Sequence, residues 1–223
     1  VLCAGETVEV GGQVFDKEGS YQLRLTSAAN CDSFLTLNLR LLSPLASISG
    51  AGELNCYDPE LELNGNNSGG NGSLTFEWLG SSGEVLGTDI RFLVSAAGTY
   101  GLRVTQQESG QVCSNTDYVD IPENFSPPIA ELGPDLTLNC YNPELLAGTP
   151  TTSLGAEFIY GWRGPPGANL VSVDTAKQYL PLNQPGTYVL TVQNITNGCL
   201  AEDSLRVTLD TLSPFAEAGD NQI

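Results

Sequence analysis

The chain has 223 residues, no histidine, and 26 Asp and Glu against 8 Lys and Arg, giving a formal net charge of −18. So acidic a chain repels nucleic acids and bare anionic membranes, and we expect neither as a partner. The missing histidine removes the usual general base, the Ser-His and Cys-His nucleophile systems and most zinc hydrolases. No apolar run approaches the about 18 residues that a membrane span needs.

The first 43 residues predict a short β module. Residues 19–26 read Gly-Ser-Tyr-Gln-Leu-Arg-Leu-Thr, in which polar and apolar residues alternate as in a half-buried strand. A similar string, Gly-Thr-Tyr-Gly-Leu-Arg-Val-Thr, recurs at 98–105. Residues 1–43 are therefore interpreted as a shorter relative of the repeats that follow, with the same C-terminal hairpin.

Two longer repeats are predicted next, at 44–127 and 128–213. Residues 54–61 read Leu-Asn-Cys-Tyr-Asp-Pro-Glu-Leu, and residues 138–145 read Leu-Asn-Cys-Tyr-Asn-Pro-Glu-Leu. Self-similarity at a fixed period indicates a repeat architecture. The correspondence continues through four further pairs: Trp78 and Trp162, Tyr100 and Tyr188, Cys113 and Cys199, and Asp117 and Asp203.

The pattern within a repeat predicts an all-β fold. Turn-forming clusters such as 65–73, which contains only Asn, Gly and Ser, separate short apolar segments. Strands of about five residues with turns every 8–15 residues or so are typical of β-sandwiches, and we expect such modules end to end. In the second repeat the predicted strands are 60–64, 74–79, 90–94, 99–105 and 117–121.

Proline marks the predicted joints, at Pro44, Pro127-Pro128 and Pro214. Residues 214–223 are predicted to start a further repeat, because Ala216-Glu217-Ala218-Gly219 resembles Ala130-Glu131-Leu132-Gly133. We therefore expect the 223 residues to be an internal stretch of a longer chain. Short joints and a uniform negative charge predict an extended rod.

These motifs resemble the PKD-type, immunoglobulin-like repeats of giant secreted proteins of Bacteroidota. The resemblance rests on Ala-x-x-Gly before the first cysteine, the internal Trp, Gly-Thr-Tyr-x-Leu-x-Val and the final Cys-x-x-x-Asp. It covers nearly the whole chain, although the Trp-Asp-Phe-Gly-Asp stretch usual in PKD domains is absent. The resemblance implies export to the cell surface or medium and a role in adhesion, gliding or fibre building.

The six cysteines allow 15 pairings. Each predicted module contains two cysteines, so the repeats favour the pairs Cys3–Cys31, Cys56–Cys113 and Cys140–Cys199. Disulfides form in oxidising compartments, which agrees with an extracellular location. The alternative, a zinc site, is not expected because the chain lacks both CxxC spacing and histidine.

The recurring aromatic residues are expected in the cores. A tryptophan repeated in every long module suits a sandwich core, although a carbohydrate platform would also use tryptophan. Tyrosines of the repeated hairpin are interpreted as core or corner residues. The predicted core aromatics are Trp78, Trp162, Tyr21, Tyr100 and Tyr188.

Calcium is the only cofactor that the sequence suggests. Hard carboxylate oxygens near module joints are the ligands that Ca²⁺ requires. The candidates Glu131, Asp135, Glu217 and Asp220 stand near the joints, but no Asp-x-Asp-x-Asp loop accompanies them. The alternative interpretation is that these acids are solvated.

The sequence therefore predicts a disulfide-stabilised rod or spacer within an extracellular adhesin or filament, and not an enzyme. Expected partners are further repeats of the same chain, identical chains in a fibre, and surface glycans or other cells. A glycan-binding accessory module of a secreted protein is the alternative, which an exposed, aligned strip of aromatic side chains would favour. An enzyme would need a cleft with convergent carboxylates.

Overall fold

The computed structural model describes residues 1–26, 31–168, 170 and 177–212. Within these ranges the chain is all-β, with twenty strands and no helix that could cross a membrane. It divides into two compact units. Unit 1 contains Val1–Leu54 and Asp58–Glu123, and unit 2 contains Asn55–Tyr57 together with the chain from Asn124 onward.

This division differs in two ways from the modules predicted at 1–43, 44–127 and 128–213. The short module and the second repeat belong to one unit, and residues 55–57 of the second repeat belong to unit 2. The predicted start of a further repeat, at 214–223, lies outside the described residues.

Six strands form the short module in unit 1. Two antiparallel pairs join β2 to β3 and β4 to β5, and a parallel pair joins β1 to β6. The strands are β1 (Leu2–Cys3), β2 (Val8–Val10), β3 (Gln13–Phe15), β4 (Gly19–Thr26), β5 (Asp32–Leu39) and β6 (Leu41–Leu42).

The second repeat is an immunoglobulin-like sandwich. Its strands are β7 (Leu54–Asn55), β8 (Leu61–Asn64), β9 (Leu74–Leu79), β10 (Val85–Gly87), β11 (Arg91–Val94), β12 (Gly98–Glu108), β13 (Gln111–Ile121) and β14 (Glu123–Asn124). One sheet has the order β10-β9-β12-β13, and β8 pairs with β11 in the facing layer. Inward side chains of both layers form the core, because alternate residues of a strand point to the same face. Its buried members are Ala46, Leu54, Leu63, Trp78, Val94, Leu102, Val104 and Ile121.

The third repeat, in unit 2, has the same layers. Its strands are β15 (Leu136–Leu138), β16 (Leu145–Ala147), β17 (Phe158–Arg163), β18 (Leu180–Leu182), β19 (Gly186–Asn194) and β20 (Leu200–Leu209). One sheet has the order β15-β20-β19-β17, with β15 parallel to β20, and β16 pairs with β18 opposite it. Buried in its core are Leu132, Leu138, Ala147, Tyr160, Leu180, Leu182, Tyr188, Leu190, Val192, Leu205 and Val207.

The strand predictions for the second repeat are confirmed in position, and the last hairpin is longer than predicted. β12 and β13 extend past the predicted ends, to a two-residue turn at Ser109 and Gly110. Both turn residues have positive φ, 49° and 85°, as tight hairpin turns require. The longer hairpin carries Cys113 close to its tip.

Candidate functional site

One aspartate holds the first segment of each long repeat against the last strand. Asp117 accepts a hydrogen bond from the backbone N–H of Ile48 at 2.9 Å. Asp203 accepts one from the backbone N–H of Leu132 at 2.7 Å. Satisfying a backbone donor in this way lets the first segment pack closely along the sandwich edge. The sequence repeats this aspartate after the second cysteine, but that repetition alone does not reveal its role.

A tyrosine corner occurs in all three modules. The hydroxyl groups of Tyr21, Tyr100 and Tyr188 donate to the backbone carbonyls of Lys17, Ala96 and Gln184, at 2.9, 2.9 and 3.0 Å. In each case the acceptor lies four residues before the tyrosine. The shared geometry relates the short module to the two long repeats, as the repeated Gly-x-Tyr string indicates.

The two disulfides of the described chain do not follow the predicted pairing. Cys3 bonds Cys113 with a Cα–Cα distance of 5.5 Å, and Cys56 bonds Cys199 at 5.0 Å. The predicted pairs Cys3–Cys31, Cys56–Cys113 and Cys140–Cys199 are therefore wrong. Instead, the first cysteine of one module bonds the second cysteine of the following module, which we call staggered pairing.

The second repeat shows why pairing within a module fails. Cys113 lies near the start of β13, opposite Gln106. Cys56 follows Leu54, whose backbone N–H donates to the carbonyl of Pro122, just past the end of the same strand. At about 3.3 Å per residue, Cys113 lies about 30 Å along the strand from Pro122, the residue that Leu54 contacts, whereas a disulfide requires Cα atoms within about 7 Å.

The third repeat has the same arrangement along β20. Cys199 immediately precedes this strand, while Cys140 lies just beyond Leu138, which pairs with Leu209 at the end of the strand. The first cysteine of a repeat thus lies at its downstream end, where the chain leaves the sandwich. The second cysteine lies at the upstream end, where the chain arrives, so staggered pairing is the geometry that the strands permit.

The short module obeys the same rule along β5. Cys31 directly precedes this strand, whereas Cys3 lies opposite Leu42, beyond the other end of the strand. Neither of the two disulfides includes Cys31.

Polar contacts within unit 1 surround the Cys3–Cys113 bond. The backbone N–H of Cys3 donates to Glu6 Oε2 at 2.8 Å, and Gln111 Nε2 donates to the same oxygen at 3.2 Å. Arg40 Nη1 lies 2.5 Å from Glu108 Oε1 near the tip of the hairpin. Exposed ion pairs contribute little free energy, so we assign most of the local stability to the disulfide.

Asn197 organises the Cys56–Cys199 bond within unit 2. Its side chain is only 1% exposed. Its Nδ2 donates to Asn124 Oδ1 at 3.0 Å and to the carbonyl of Ser126 at 2.9 Å, and its Oδ1 accepts from the backbone N–H of Cys199 at 3.0 Å. The carbonyl of Asn197 accepts from the backbone N–H of Cys56 at 2.9 Å. A buried amide satisfied in this way fixes the hairpin that carries Cys199.

The predicted core aromatics differ in burial. Trp78 and Tyr188 are 0% and 1% exposed, and both belong to the cores. Trp162, Tyr100 and Tyr21 are only partly buried. Both indoles nevertheless donate Nε1–H to a backbone carbonyl, Trp78 at 2.9 Å and Trp162 at 3.3 Å.

Burial also changes the acidity of two tyrosines in unit 2. Desolvation raises the pKa of Tyr160, with a further contribution from the charge of Glu157. Desolvation likewise raises the pKa of Tyr188, partly offset by the hydrogen bond to Gln184. An apolar environment disfavours the charged phenolate, which is the physical reason for both shifts.

The calcium candidates at the described joint have local partners. Thr151 Oγ1 donates to the carboxylate of Glu131, and the backbone N–H of Arg206 donates to Asp135 Oδ1 at 2.8 Å. Glu217 and Asp220 lie outside the described residues. Among the residues that the structure describes, no three His, Cys, Asp or Glu side chains cluster as metal ligands.

No family model and no curated protein matches the chain. It resembles several solved structures at low identity. The three N-terminal domains of the bacteriophage RB49 Highly Immunogenic Outer Capsid protein align at 14% identity and TM-score 0.34, covering 75% of this chain and 59% of that one. Extracellular domains 3–5 of Drosophila OTK align at 13% identity and TM-score 0.34, covering 87% and 72%.

The N-terminal eight immunoglobulin domains of the Down Syndrome Cell Adhesion Molecule align at 11% identity and TM-score 0.44, covering 93% of this chain and 31% of that one. The chain thus spans less than two thirds of the capsid and cell-adhesion structures. We take the fold from the strands and cores themselves, and they make the chain a series of consecutive immunoglobulin-like β-sandwich repeats.

Proposed function

We propose that this chain is a structural repeat segment of a large extracellular adhesin or filament, acting as a disulfide-stabilised spacer for cell-surface attachment. The observation that carries the proposal is the staggered pairing of Cys3 with Cys113 and of Cys56 with Cys199. Bonds between consecutive modules suit a chain whose function is to remain continuous under mechanical load.

The proposed location is the cell surface or the medium. Disulfides persist in oxidising compartments, and two of them fit an extracellular protein. The net charge of −18 favours solubility in a saline medium. The resemblance to PKD-type repeats of Bacteroidota supports the same location, with export through a dedicated outer-membrane system.

The proposed partners are further repeats of the same chain and identical chains in a fibre, with glycans or other cells as attachment targets. The alternative is a glycan-binding accessory module, and the fully buried indole of Trp78 does not support it. We also propose that the chain is not an enzyme, since its repeated residues are assigned to packing, strand attachment and disulfides.

Small-angle X-ray scattering tests the spacer. A compact chain of this length has a radius of gyration of about 17 Å by the usual scaling with residue number. We expect a clearly larger value for the oxidised chain at physiological salt. A radius at the compact limit would refute the spacer function, and sedimentation on the same sample separates single chains from bundled copies.

A further inference from the structure

The turn that follows the first strand has the same sequence and geometry in both long repeats. It reads Asn55-Cys56-Tyr57 in the second repeat and Asn139-Cys140-Tyr141 in the third. In each, the asparagine Oδ1 accepts from the tyrosine backbone N–H at 2.9 Å. Asn139 Oδ1 also accepts from the backbone N–H of Asn142, at 2.7 Å. The turn around Cys140 is therefore held in place locally, without a disulfide.

The two turns differ in what covers them. In unit 2, Cys56 is bonded to Cys199, and the ring of Tyr57 lies against Gly198, where an added Cβ would be 2.7 Å from the ring. Cys140 is an exposed free thiol, and Tyr141 is 91% exposed against 53% for Tyr57. The third repeat thus presents the same thiol and aromatic ring uncovered.

A depression adjoins the thiol of Cys140. Its volume is about 350 Å³. Its lining combines apolar and polar residues: Leu138, Pro143, Pro185 and Leu209 with Asn139, Asn183, Asp210 and Thr211. The thiol, the aromatic ring and this partly apolar concavity together form an exposed surface at the downstream end of the third repeat. An exposed cysteine by itself does not indicate a binding site. In the second repeat, however, the equivalent residues Cys56 and Tyr57 are both covered by the hairpin that carries Cys199.

We propose that Cys140 and Tyr141 receive the last hairpin of a further repeat of this type, and that Cys140 bonds the second cysteine of that repeat. The occupant is the next module of the same polypeptide, of which residues 216–219 repeat the opening motif. Staggered pairing occurs at both positions where the described chain contains both partners. This proposal concerns linkage between modules and stands whether or not the protein is adhesive.

Residue size beside the two cysteines identifies the occupant further. At the first bond, the small residue Ala4 follows Cys3 and the larger residue Val112 precedes Cys113. At the other bond the sizes are reversed, because Tyr57 follows the first cysteine and Gly198 precedes the second. Gly198 also has a φ of 76°, which glycine adopts readily. Tyr141 therefore selects a hairpin that carries Gly-Cys.

The bond forms by thiol–disulfide exchange with a small-molecule disulfide such as oxidised glutathione. The hairpin thiolate attacks this oxidant, forming a mixed disulfide and releasing one small thiol. The Cys140 thiolate then attacks the hairpin sulfur, forming the protein disulfide and releasing the second small thiol. Two protein thiols are oxidised, and one disulfide of the oxidant is reduced to two thiols.

An extended chain tests the proposal. After Gly219 the chain is continued with a second copy of residues 134–212, which supplies a following repeat with its own Gly198-Cys199 hairpin. We expect non-reducing peptide mapping of the folded, glutathione-oxidised protein to link Cys140 of the first copy to Cys199 of the second. In the matched control, Cys199→Ser in the second copy, Cys140 must become accessible to iodoacetamide.

A Cys140 that remains reduced in the oxidised extended chain, or that bonds Cys199 of its own repeat, overturns the proposal. An intermolecular bond to Cys140 overturns the assignment to the same polypeptide. If the extended chain does not fold, the reactivity of Cys140 in the 223-residue chain tests the proposal instead. Alkylation of Cys140 in the native oxidised monomer supports the proposal, and a disulfide from Cys140 to any cysteine of that chain contradicts it.

The size rule has its own test. Gly198→Ala in the added copy should slow closure of the Cys140 bond about tenfold, because the added methyl group meets the ring of Tyr141. Tyr141→Ala in that background should restore most of the rate if ring contact is the cause. A rate that stays low in the double variant would attribute the effect to backbone strain and overturn the selection of Gly-Cys.

Discussion

The second and third repeats share a strand register but fill their cores with different aromatic residues. Trp78 pairs in register with Leu102, and Trp162 with Leu190, the equivalent leucine. Trp78 is fully buried and stacks on Phe92 at 5.7 Å. In the third repeat Trp162 is only partly buried.

Two tyrosines are buried in the core of the third repeat. Tyr160 and Tyr188 are 2% and 1% exposed, and the Tyr160 hydroxyl donates to the carbonyl of Ser153 at 2.8 Å. The comparison separates two roles of the repeat motif. The aspartate and the corner tyrosine keep the same hydrogen bonds in both repeats, whereas the burial of the strand tryptophan differs.

Removing either disulfide should cause the largest loss of stability, and the loss should be nearly equal for the two. The bonds close loops with sequence separations of 110 and 143 residues. Loop entropy depends on the logarithm of length, so Cys3→Ser with Cys113→Ser and Cys56→Ser with Cys199→Ser should each lower the free energy of unfolding by about 5 kcal/mol. Urea denaturation followed by circular dichroism measures both. Cys140→Ser is the control, and a comparable loss there would contradict staggered pairing.

Replacing the two tryptophans by alanine should show the greatest difference in stability between the repeats. Trp78→Ala removes a fully buried indole and should cost about 4 kcal/mol, whereas Trp162→Ala should cost about 2 kcal/mol because part of that ring is already solvated. Denaturant titration of both variants gives the values. Equal losses would show that the two indoles contribute alike to their cores.

Replacing the repeated aspartate by alanine should lower the free energy of unfolding equally in the two repeats. Asp117→Ala and Asp203→Ala each remove the acceptor of two backbone N–H groups, one in the first segment and one in the next residue, and each should cost about 2 kcal/mol. Asp120→Ala is the matched control, since Asp120 is exposed and accepts only from Thr99 among the described contacts, so its cost should stay below about 0.5 kcal/mol. A large difference between the two losses would show that the same hydrogen-bond geometry contributes different free energies in the two repeats.

The smallest expected effect is a loss of stability in alkaline solution, where Tyr188 ionises. The folded pKa of Tyr188 is raised, so its stabilising contribution is present below the unfolded pKa of about 10 and is lost as the pH rises through the folded value. The urea midpoint should therefore fall between pH 9 and pH 11 or so, and it should fall less in Tyr188→Phe. A variant with the same or a steeper decline would exclude Tyr188 as a source of the pH dependence.

Much of the fold could be predicted from the sequence, because repeats and alternating patterns are local signals. The strands near 74–79 and 99–105 and the all-β class followed from such patterns. The disulfide pairing did not, because the number of cysteines per module does not show where each lies relative to the last strand. The signal was nevertheless present, since Cys199 comes directly before that strand and Cys140 follows a strand that runs parallel to it.

The burial of the aromatic residues could not be predicted from the sequence for a different reason. Trp78 and Trp162 occupy equivalent places in the pattern, and only the neighbouring side chains distinguish them. Phe92 supports the indole in the second repeat, whereas the third repeat has Leu180 at the equivalent position of its second layer. Such exchanges depend on the three-dimensional packing of the whole core.

The overlap of the two disulfide-closed loops has a consequence for a protein exposed to proteases. The first loop runs from Cys3 to Cys113 and the second from Cys56 to Cys199, so every peptide bond between Cys3 and Cys199 lies inside at least one loop. A single cut anywhere in that range, including the joint at Pro127-Pro128, leaves the fragments covalently joined. Pairing within each module would have left both joints as places where one cut divides the chain. Staggered pairing thus makes the covalent continuity of the protein independent of any single backbone bond between these cysteines.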